Sequence, residues 1–165
     1  IVNRLDYYNP GELERIIVRN AALLEVAITG EGARELAGRV RGTPRICNNL
    51  LRRLRDFLQT SGIKALDGDF VRETLGKLGI DALGLDPMNR RYLEILINDF
   101  DGGPVGVETL AVSLGEDRET LTDVYEPFLI QLGMIKRTLR GRVAQRRAAE
   151  HLGLVWREPL QGDLL

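Results

Sequence analysis

Residues 106–144 read GVETLAVSLGEDRETLTDVYEPFLIQLGMIKRTLRGRVA and form the most informative stretch of the chain. Apolar residues recur at helical spacing over 107–114 and 118–132, with a three-residue turn between the two segments. Gly133 ends the second helix, and residues 134–138 and 142–144 can pair as a β-hairpin around a glycine turn. Together with a helix that begins at Pro87, this order predicts a winged helix.

The residues before this stretch predict a bundle of four helices. Asn9-Pro10-Gly11-Glu12 has the residues of a capping box, and the apolar period behind it continues to Thr29-Gly30, where we expect the first helix to end. Shorter helices are predicted over 31–38 and 69–78, and a long one from Pro44 to Ser61. Residues 81–86 read as a short linker. The fold class predicted is therefore mainly α, a four-helix bundle followed by a winged helix with a small β-hairpin wing.

The formal net charge of −1 conceals two basic clusters. Six arginines and no acid lie in 39–55, and six basic residues and no acid lie in 136–147. Such clusters favour local binding of a polyanion. A single cysteine, Cys47, and a single histidine, His151, argue against a zinc site and a Ser/His/Asp triad, and Cys47 fits a reducing, cytoplasmic setting. No apolar run is long enough to span a membrane. Since the chain begins with Ile1, we expect a processed or truncated N-terminus.

Arg45 is a candidate phosphate ligand. Pro44 suits the first helical position, which places Arg45 among unpaired backbone amides at the positive end of the helix dipole. The dipole, the amides and the guanidinium would all be satisfied by an anion. The alternative is a turn whose arginine meets a carboxylate from a neighbouring helix.

The wing is the candidate DNA contact. The second helix of the pair carries Glu119, Asp123 and Glu126 at a spacing that predicts one shared acidic face, which would be repelled by phosphate. The hairpin instead carries basic side chains around its glycine turn, and Arg118 at the start of the second helix can join them; these DNA-binding candidates are Arg118, Arg137, Arg140 and Arg142. We therefore expect contacts to the DNA backbone with little sequence preference. The alternative is a winged helix that binds protein.

Five separated motifs, in order, make the chain similar to a known family. They are Arg41-Gly42-Thr43-Pro44-Arg45-Ile46, Leu51-Arg52-Arg53-Leu54-Arg55-Asp56, Gly102-Gly103-Pro104-Val105-Gly106, Tyr125-Glu126-Pro127-Phe128-Leu129-Ile130 and Arg137-Thr138-Leu139-Arg140-Gly141-Arg142. The chain resembles the C-terminal part of the RuvB family, the AAA+ motors of Holliday-junction branch migration. The resemblance implies the end of a large ATPase domain at 1–10, a small lid domain at 11–81 and a winged-helix head at 84–165.

The resemblance also implies roles for single residues. Arg45 falls at the sensor-2 position that contacts ATP phosphate, and Tyr8 matches a tyrosine of the nucleotide pocket. Arg137 and Arg142 match DNA-contacting arginines of the wing, and Arg118 another position linked to DNA. Leu139 stands where the wing of the family has proline, and Cys47 reads as a core residue. The implied cofactor is ATP, with Mg²⁺ held by the large domain. The implied partners are double-stranded DNA at Holliday junctions, five further copies in a homohexamer, RuvA and RuvC, with no membrane.

No phosphate-binding loop and no magnesium-binding acidic strand end occur in these 165 residues, so no catalytic residue is predicted among them. We expect the segment not to hydrolyse ATP alone. Two other functions remain open from the sequence. One is a transcriptional regulator with a helical sensor domain, which would prefer one operator sequence. The other is a protein-interaction module, which would not bind DNA.

Overall fold

The computed structural model describes the backbone of residues 8–40 and 44–157, and the side chains of 8–40 and 46–157. The chain divides into two compact units, and the division falls between Asp86 and Pro87. Residues 1–7, which the resemblance assigns to a large ATPase domain, lie outside the described residues, as do 158–165. No helix in the described ranges combines the length and apolar character needed to cross a membrane.

The first unit is the predicted four-helix bundle. Its helices are α1 (Pro10–Leu23), α2 (Gly30–Val40), α3 (Pro44–Ser61) and α4 (Gly68–Lys77). The capping box forms as predicted: Asn9 Oδ1 accepts from the Glu12 amide, and Glu12 Oε2 accepts from the Asn9 amide, both at 2.9 Å. The core joins one face of every helix and includes Leu13, Leu36, Leu51, Leu54 and Leu75.

The boundary between α1 and α2 differs from the prediction. Helix α1 ends at Leu23, and Glu25 adopts the left-handed conformation with φ of 56°. Thr29 begins α2 instead of ending α1, because its Oγ1 accepts from the Gly32 amide at 3.1 Å. The chain before it runs beside Leu66, whose carbonyl accepts from the Thr29 amide at 3.0 Å. This segment is not helical: Val26 is buried and Leu24 and Ile28 are partly buried, at a spacing of two residues, whereas Leu23 and Ala27 are exposed.

Helix α3 presents a narrower buried face than its apolar residues suggest. Leu51, Leu54 and Cys47 are buried, and Cys47 is the core residue that the sequence predicts. Ile46, whose spacing of four residues from Leu50 predicts that it shares the apolar stripe of this helix, is exposed. Helix α3 therefore leaves one apolar side chain of its first turns at the surface, among its basic residues.

The segment after α4 is bound to the first unit. Arg39 Nη1 donates to the carbonyl of Ile80 at 3.2 Å and to that of Asp81 at 3.3 Å. The same guanidinium pairs with Glu35 through Nη2 at 2.6 Å. Leu85 is fully buried. The predicted linker is thus ordered against the first unit up to Leu85.

The second unit is the predicted winged helix. It contains α5 (Pro87–Asn98), α6 (Val107–Leu114), α7 (Arg118–Thr120), a π-helical segment (Leu121–Tyr125), α8 (Glu126–Gln131), β1 (Ile135–Thr138), β2 (Gly141–Ala144) and α9 (Arg146–Leu152). We call the continuous run from α7 to α8 the 118–131 helix. Strands β1 and β2 pair antiparallel and form the wing. Helix α9 was not predicted.

Candidate nucleic-acid interface

Two arginines of the wing lie directly opposite each other. In the register of β1 and β2, Arg137 pairs with Arg142, so both side chains project from the same face of the hairpin. Like charges in this position destabilise a sheet. An anion between the two guanidinium groups would reverse that effect.

The carboxylate of Glu126 supplies this anion. Its Oε2 accepts from Arg137 Nε at 2.6 Å, and its Oε1 accepts from Arg142 Nε at 2.9 Å. Arg142 Nη2 also reaches Oε2 at 3.3 Å. Glu126 is completely buried, whereas the side chains of Arg137 and Arg142 are 44% and 16% exposed. We call these three residues the wing cluster.

The position of Glu126 corrects the predicted acidic face. Glu119 and Asp123 are exposed as expected, but Glu126 points into the unit. The prediction assumed a regular α-helix, and the π-helical segment places an extra residue in one turn, which rotates every later position. A usable signal was present: Glu126 precedes the buried Leu129 by three residues, a spacing that puts both on one side.

Pro127 explains both the π-helical segment and one further contact of the wing. A proline inside a helix has no amide hydrogen, and its ring collides with the carbonyl four residues earlier, here that of Asp123. The Glu126 amide donates to the carbonyl of Leu121, five residues earlier. The carbonyl of Thr122 therefore accepts no hydrogen bond from the Glu126 amide, and Pro127 has no amide hydrogen to donate to it. It accepts from Arg137 Nη2 at 2.7 Å instead.

Tyr92 of α5 donates a further hydrogen bond to the Glu126 carboxylate. Its hydroxyl donates to Oε1 at 3.1 Å, and the ring is fully buried. Burial and the adjacent Glu126 carboxylate raise the pKa of Tyr92 well above its ordinary value, so the phenol remains a neutral donor. Tyr92, Glu126 and the carbonyl of Thr122 are functional groups that the sequence analysis did not predict.

The backbone of the wing is held at Arg142 by a third extended segment. Val105 and Arg142 exchange two hydrogen bonds, at 2.7 Å and 3.0 Å. Gly141 permits this approach, since a Cβ there would lie 2.3 Å from the Val105 carbonyl oxygen. The Gly102–Gly106 turn thus positions Arg142, and the strand character of Val105 was not predicted.

The remaining DNA-binding candidates lie apart from the wing cluster. Arg140 is exposed in the turn of the hairpin beside Leu139, which is fully exposed, and among the described residues its side chain has no ion-pair partner. Arg118 is 65% exposed and pairs with Glu108 at 3.2 Å on the surface. Such a surface pair is weak, so a phosphate can replace Glu108.

Of the two residues predicted to contact the nucleotide, the structure describes the side chain of only Tyr8. Tyr8 is 47% exposed and directly precedes the cap of α1. The backbone of Arg45 lies in the first turn of α3, as predicted, but its side chain lies outside the described residues. No group of three or more His, Cys, Asp or Glu side chains within the described ranges is arranged to hold a metal ion.

Comparison with protein families assigns both units. The model of the RuvB AAA lid domain matches residues 8–81, and that of the RuvB C-terminal winged helix domain matches residues 82–153. The chain belongs to the RuvB family. The two matched domains divide at the linker that precedes α5.

Individual members of the family show the same relationship. The Holliday junction branch migration complex subunits RuvB of Rubrobacter xylanophilus and Nitratidesulfovibrio vulgaris are 56% and 49% identical over 94% of this chain, and the matches cover 44% and 48% of those proteins. The structure of the Thermotoga maritima RuvB Holliday junction branch migration motor superposes with a TM-score of 0.88 at 42% identity, over 93% of this chain and 51% of that one. The chain thus spans about half the length of the RuvB proteins it matches.

Proposed function

We propose that this chain supplies the lid and the DNA-binding head of an ATP-driven motor that moves Holliday junctions during recombination and repair. The match of both units to RuvB domains carries this proposal. In the same proposal, residues 1–10 are the end of the large ATPase domain, residues 11–81 the lid and residues 84–165 the head.

The wing is the DNA-binding element of the proposed motor. Two guanidinium groups and one carboxylate leave the wing cluster with one net positive charge, and Lys136 and Arg140 add two more at the surface. Arg118 adds another at the start of the 118–131 helix. These charges fit the phosphates of a duplex, and binding should weaken steeply as salt rises.

The surface of the 118–131 helix favours contacts to the DNA backbone over base readout. Glu119 and Asp123 are exposed on the helix that other winged helices insert into the major groove. Their carboxylates would be repelled by the phosphates that line the groove. A motor that moves along DNA of any sequence must bind without sequence preference, whereas an operator-binding regulator must prefer one sequence.

Tyr8, just before the lid, and Arg45, in the third helix of the lid, fit a nucleotide. The first turn of α3 carries Arg45 and has amides without a partner inside the helix, which suits a phosphate, and the exposed ring of Tyr8 suits the stacking of a base. We propose that Arg45 contacts ATP phosphate and Tyr8 the adenine side, with Mg²⁺ held by the large domain. ATP, when bound, supplies the free energy of hydrolysis that Arg45 would couple to movement of the lid.

The proposed assembly is a cytoplasmic homohexamer on double-stranded DNA at Holliday junctions, acting with RuvA and RuvC. Family membership supports these partners. The chain by itself should not turn over ATP, because its 165 residues contain no phosphate-binding loop. Magnesium-dependent phosphate release by the purified chain that is lost in Arg45→Ala would contradict this division of roles.

Binding of the purified chain to DNA tests the proposal against its alternatives. Random-sequence duplex and four-way junction DNA are titrated at two salt concentrations, with Arg140→Ala as the variant. We expect binding to both DNAs, a steep loss with salt and weaker binding by the variant. A regulator would prefer one sequence by roughly 1–3 kcal/mol per base pair. A protein-interaction module would bind neither DNA at low salt.

A further inference from the structure

Each arginine of the wing cluster uses two of its three guanidinium nitrogens inside the protein. Arg137 donates through Nε to Glu126 and through Nη2 to Thr122, and Arg142 donates to Glu126 through Nε and Nη2. Among the described residues, the Nη1 group of each arginine has no hydrogen-bond acceptor. The two free groups belong to side chains that project from one face of the hairpin.

We propose that Glu126 is the positioning residue of the wing: it holds Arg137 and Arg142 so that the Nη1 group of each is presented to a DNA phosphate. This inference rests on the proposed DNA-binding function and specifies how the wing performs it. Glu126 does not contact DNA, and it acts only through the two arginines.

The net charge of the wing cluster favours the binding of an anion. One carboxylate compensates one guanidinium, and the hydroxyl of Tyr92 donates to Glu126 without adding charge. One positive charge therefore remains at a site where Arg142 is mostly covered. The cluster stays open to solvent through Arg137, and a phosphate oxygen that accepts from both Nη1 groups would compensate this charge.

The surroundings of Glu126 support a fixed rather than an adaptable site. Tyr92 holds one carboxylate oxygen from α5, and the π-helical segment before Pro127 sets the direction of the side chain. Arginine side chains lose much conformational freedom when they bind a ligand. Because Glu126 and Thr122 hold these side chains before DNA arrives, that loss no longer weakens binding.

A pair of charge-matched variants separates positioning from general electrostatics. Glu126→Gln and Glu119→Gln each remove one negative charge from the 118–131 helix, and Glu119 is exposed with no ion-pair partner in the described structure. The dissociation constant of the 165-residue chain for a short random-sequence duplex is measured over a series of salt concentrations. General electrostatics predicts that both variants bind DNA more tightly.

Positioning predicts opposite results for the two variants. Glu126→Gln should weaken binding about tenfold although the protein becomes more positive. Its slope of log affinity against log salt should also fall by about one, as for one lost phosphate contact. Glu119→Gln should bind as tightly as the parent chain or more tightly, with the slope unchanged. If Glu126 only stabilised the fold, Glu126→Gln would change the melting temperature and leave the salt slope as it was.

Tyr92→Phe keeps the test valid if Glu126→Gln does not fold. It removes one hydrogen bond to Glu126 without changing charge, and we expect about threefold weaker binding. Tighter binding by Glu126→Gln, or unchanged binding by Tyr92→Phe, would overturn the positioning role while the parent chain still binds DNA. Failure of the parent chain to bind any duplex would overturn the proposed function itself.

Discussion

Glu126 Oε1 and Arg142 Nε meet at 2.9 Å inside the second unit, where the carboxylate is completely buried. This ion pair joins the 118–131 helix to β2 of the wing. It explains how a hairpin with two arginines directly across from each other remains stable. It also means that Arg142 serves the fold as well as the proposed DNA contact, whereas Arg140 at the turn has only the second role.

Removing the carboxylate should destabilise the second unit strongly. Glu126→Ala leaves two guanidinium groups without their anion, and we expect the free energy of unfolding to fall by about 3–5 kcal/mol. Trp156, the only tryptophan of the chain, lies in this unit, so its fluorescence during urea denaturation measures the loss. The control Glu119→Ala should change that free energy by less than about 0.5 kcal/mol. Equal effects of the two variants would contradict the importance of the ion pair.

Replacing Arg142 of β2 and Arg140 of the turn by alanine should have different effects on the stability of the second unit. Arg140→Ala should weaken DNA binding and leave the free energy of unfolding within about 0.5 kcal/mol of the parent, because its side chain is exposed. Arg142→Ala should lower both DNA affinity and stability. Titration with duplex DNA and urea denaturation followed at Trp156 give the two quantities. A loss of stability in Arg140→Ala would contradict this expectation, because it would mean that the Arg140 side chain makes a contact that stabilises the hairpin.

Gly141 should not tolerate a side chain. Its φ is +139°, and a Cβ would lie 2.3 Å from the Val105 carbonyl oxygen, so Gly141→Ala must break the bridge to Val105 or distort the wing. We expect a loss of about 1–3 kcal/mol together with weaker DNA binding. Gly133 is the matched control, since its φ is +66° and nothing lies within 4 Å of the added atom. Gly133→Ala should cost about 1 kcal/mol and leave DNA binding unchanged.

Cys47 should make the first unit less stable at high pH. Burial raises the pKa of its thiol from 9.0 to about 11, since the thiolate is poorly solvated in the core. The unfolded chain therefore releases this proton first. The thiol's contribution to stability is present below pH 9 and is lost as the pH rises towards 11, by about 3 kcal/mol in all.

Urea denaturation followed by circular dichroism between pH 8 and pH 11 measures this loss, with Cys47→Ala as the control. The part of the pH dependence that is due to the thiol should disappear in the variant. Cys47 should also resist alkylation by iodoacetamide in the native chain and react once the chain is unfolded. Rapid alkylation of the native chain at neutral pH would contradict its burial.

Much of the helical architecture could be predicted because its signals are local. The capping box at Asn9 and Glu12 and the glycine stop at Gly133 each depend on a few neighbouring residues, and both form as predicted. The predicted end of the first helix at Thr29 was wrong because the conformation there depends on contacts that are not local. The segment after α1 buries Val26 and partly buries Leu24 and Ile28 at a spacing of two residues, and its conformation is fixed by hydrogen bonds with the distant Leu66, which a helical period read along the chain does not reveal.

The sequence by itself determined the lid and winged-helix organisation, the basic wing and the family, because periodicity, caps and motifs are local properties of the chain. Only the tertiary structure decided what the wing arginines do. Pro127 shifts the helical register at Glu126, and the fold then places Tyr92, Arg137 and Arg142 around that one carboxylate. A buried carboxylate needs donors on every side, and their sequence separations of 34, 11 and 16 residues are bridged only by packing.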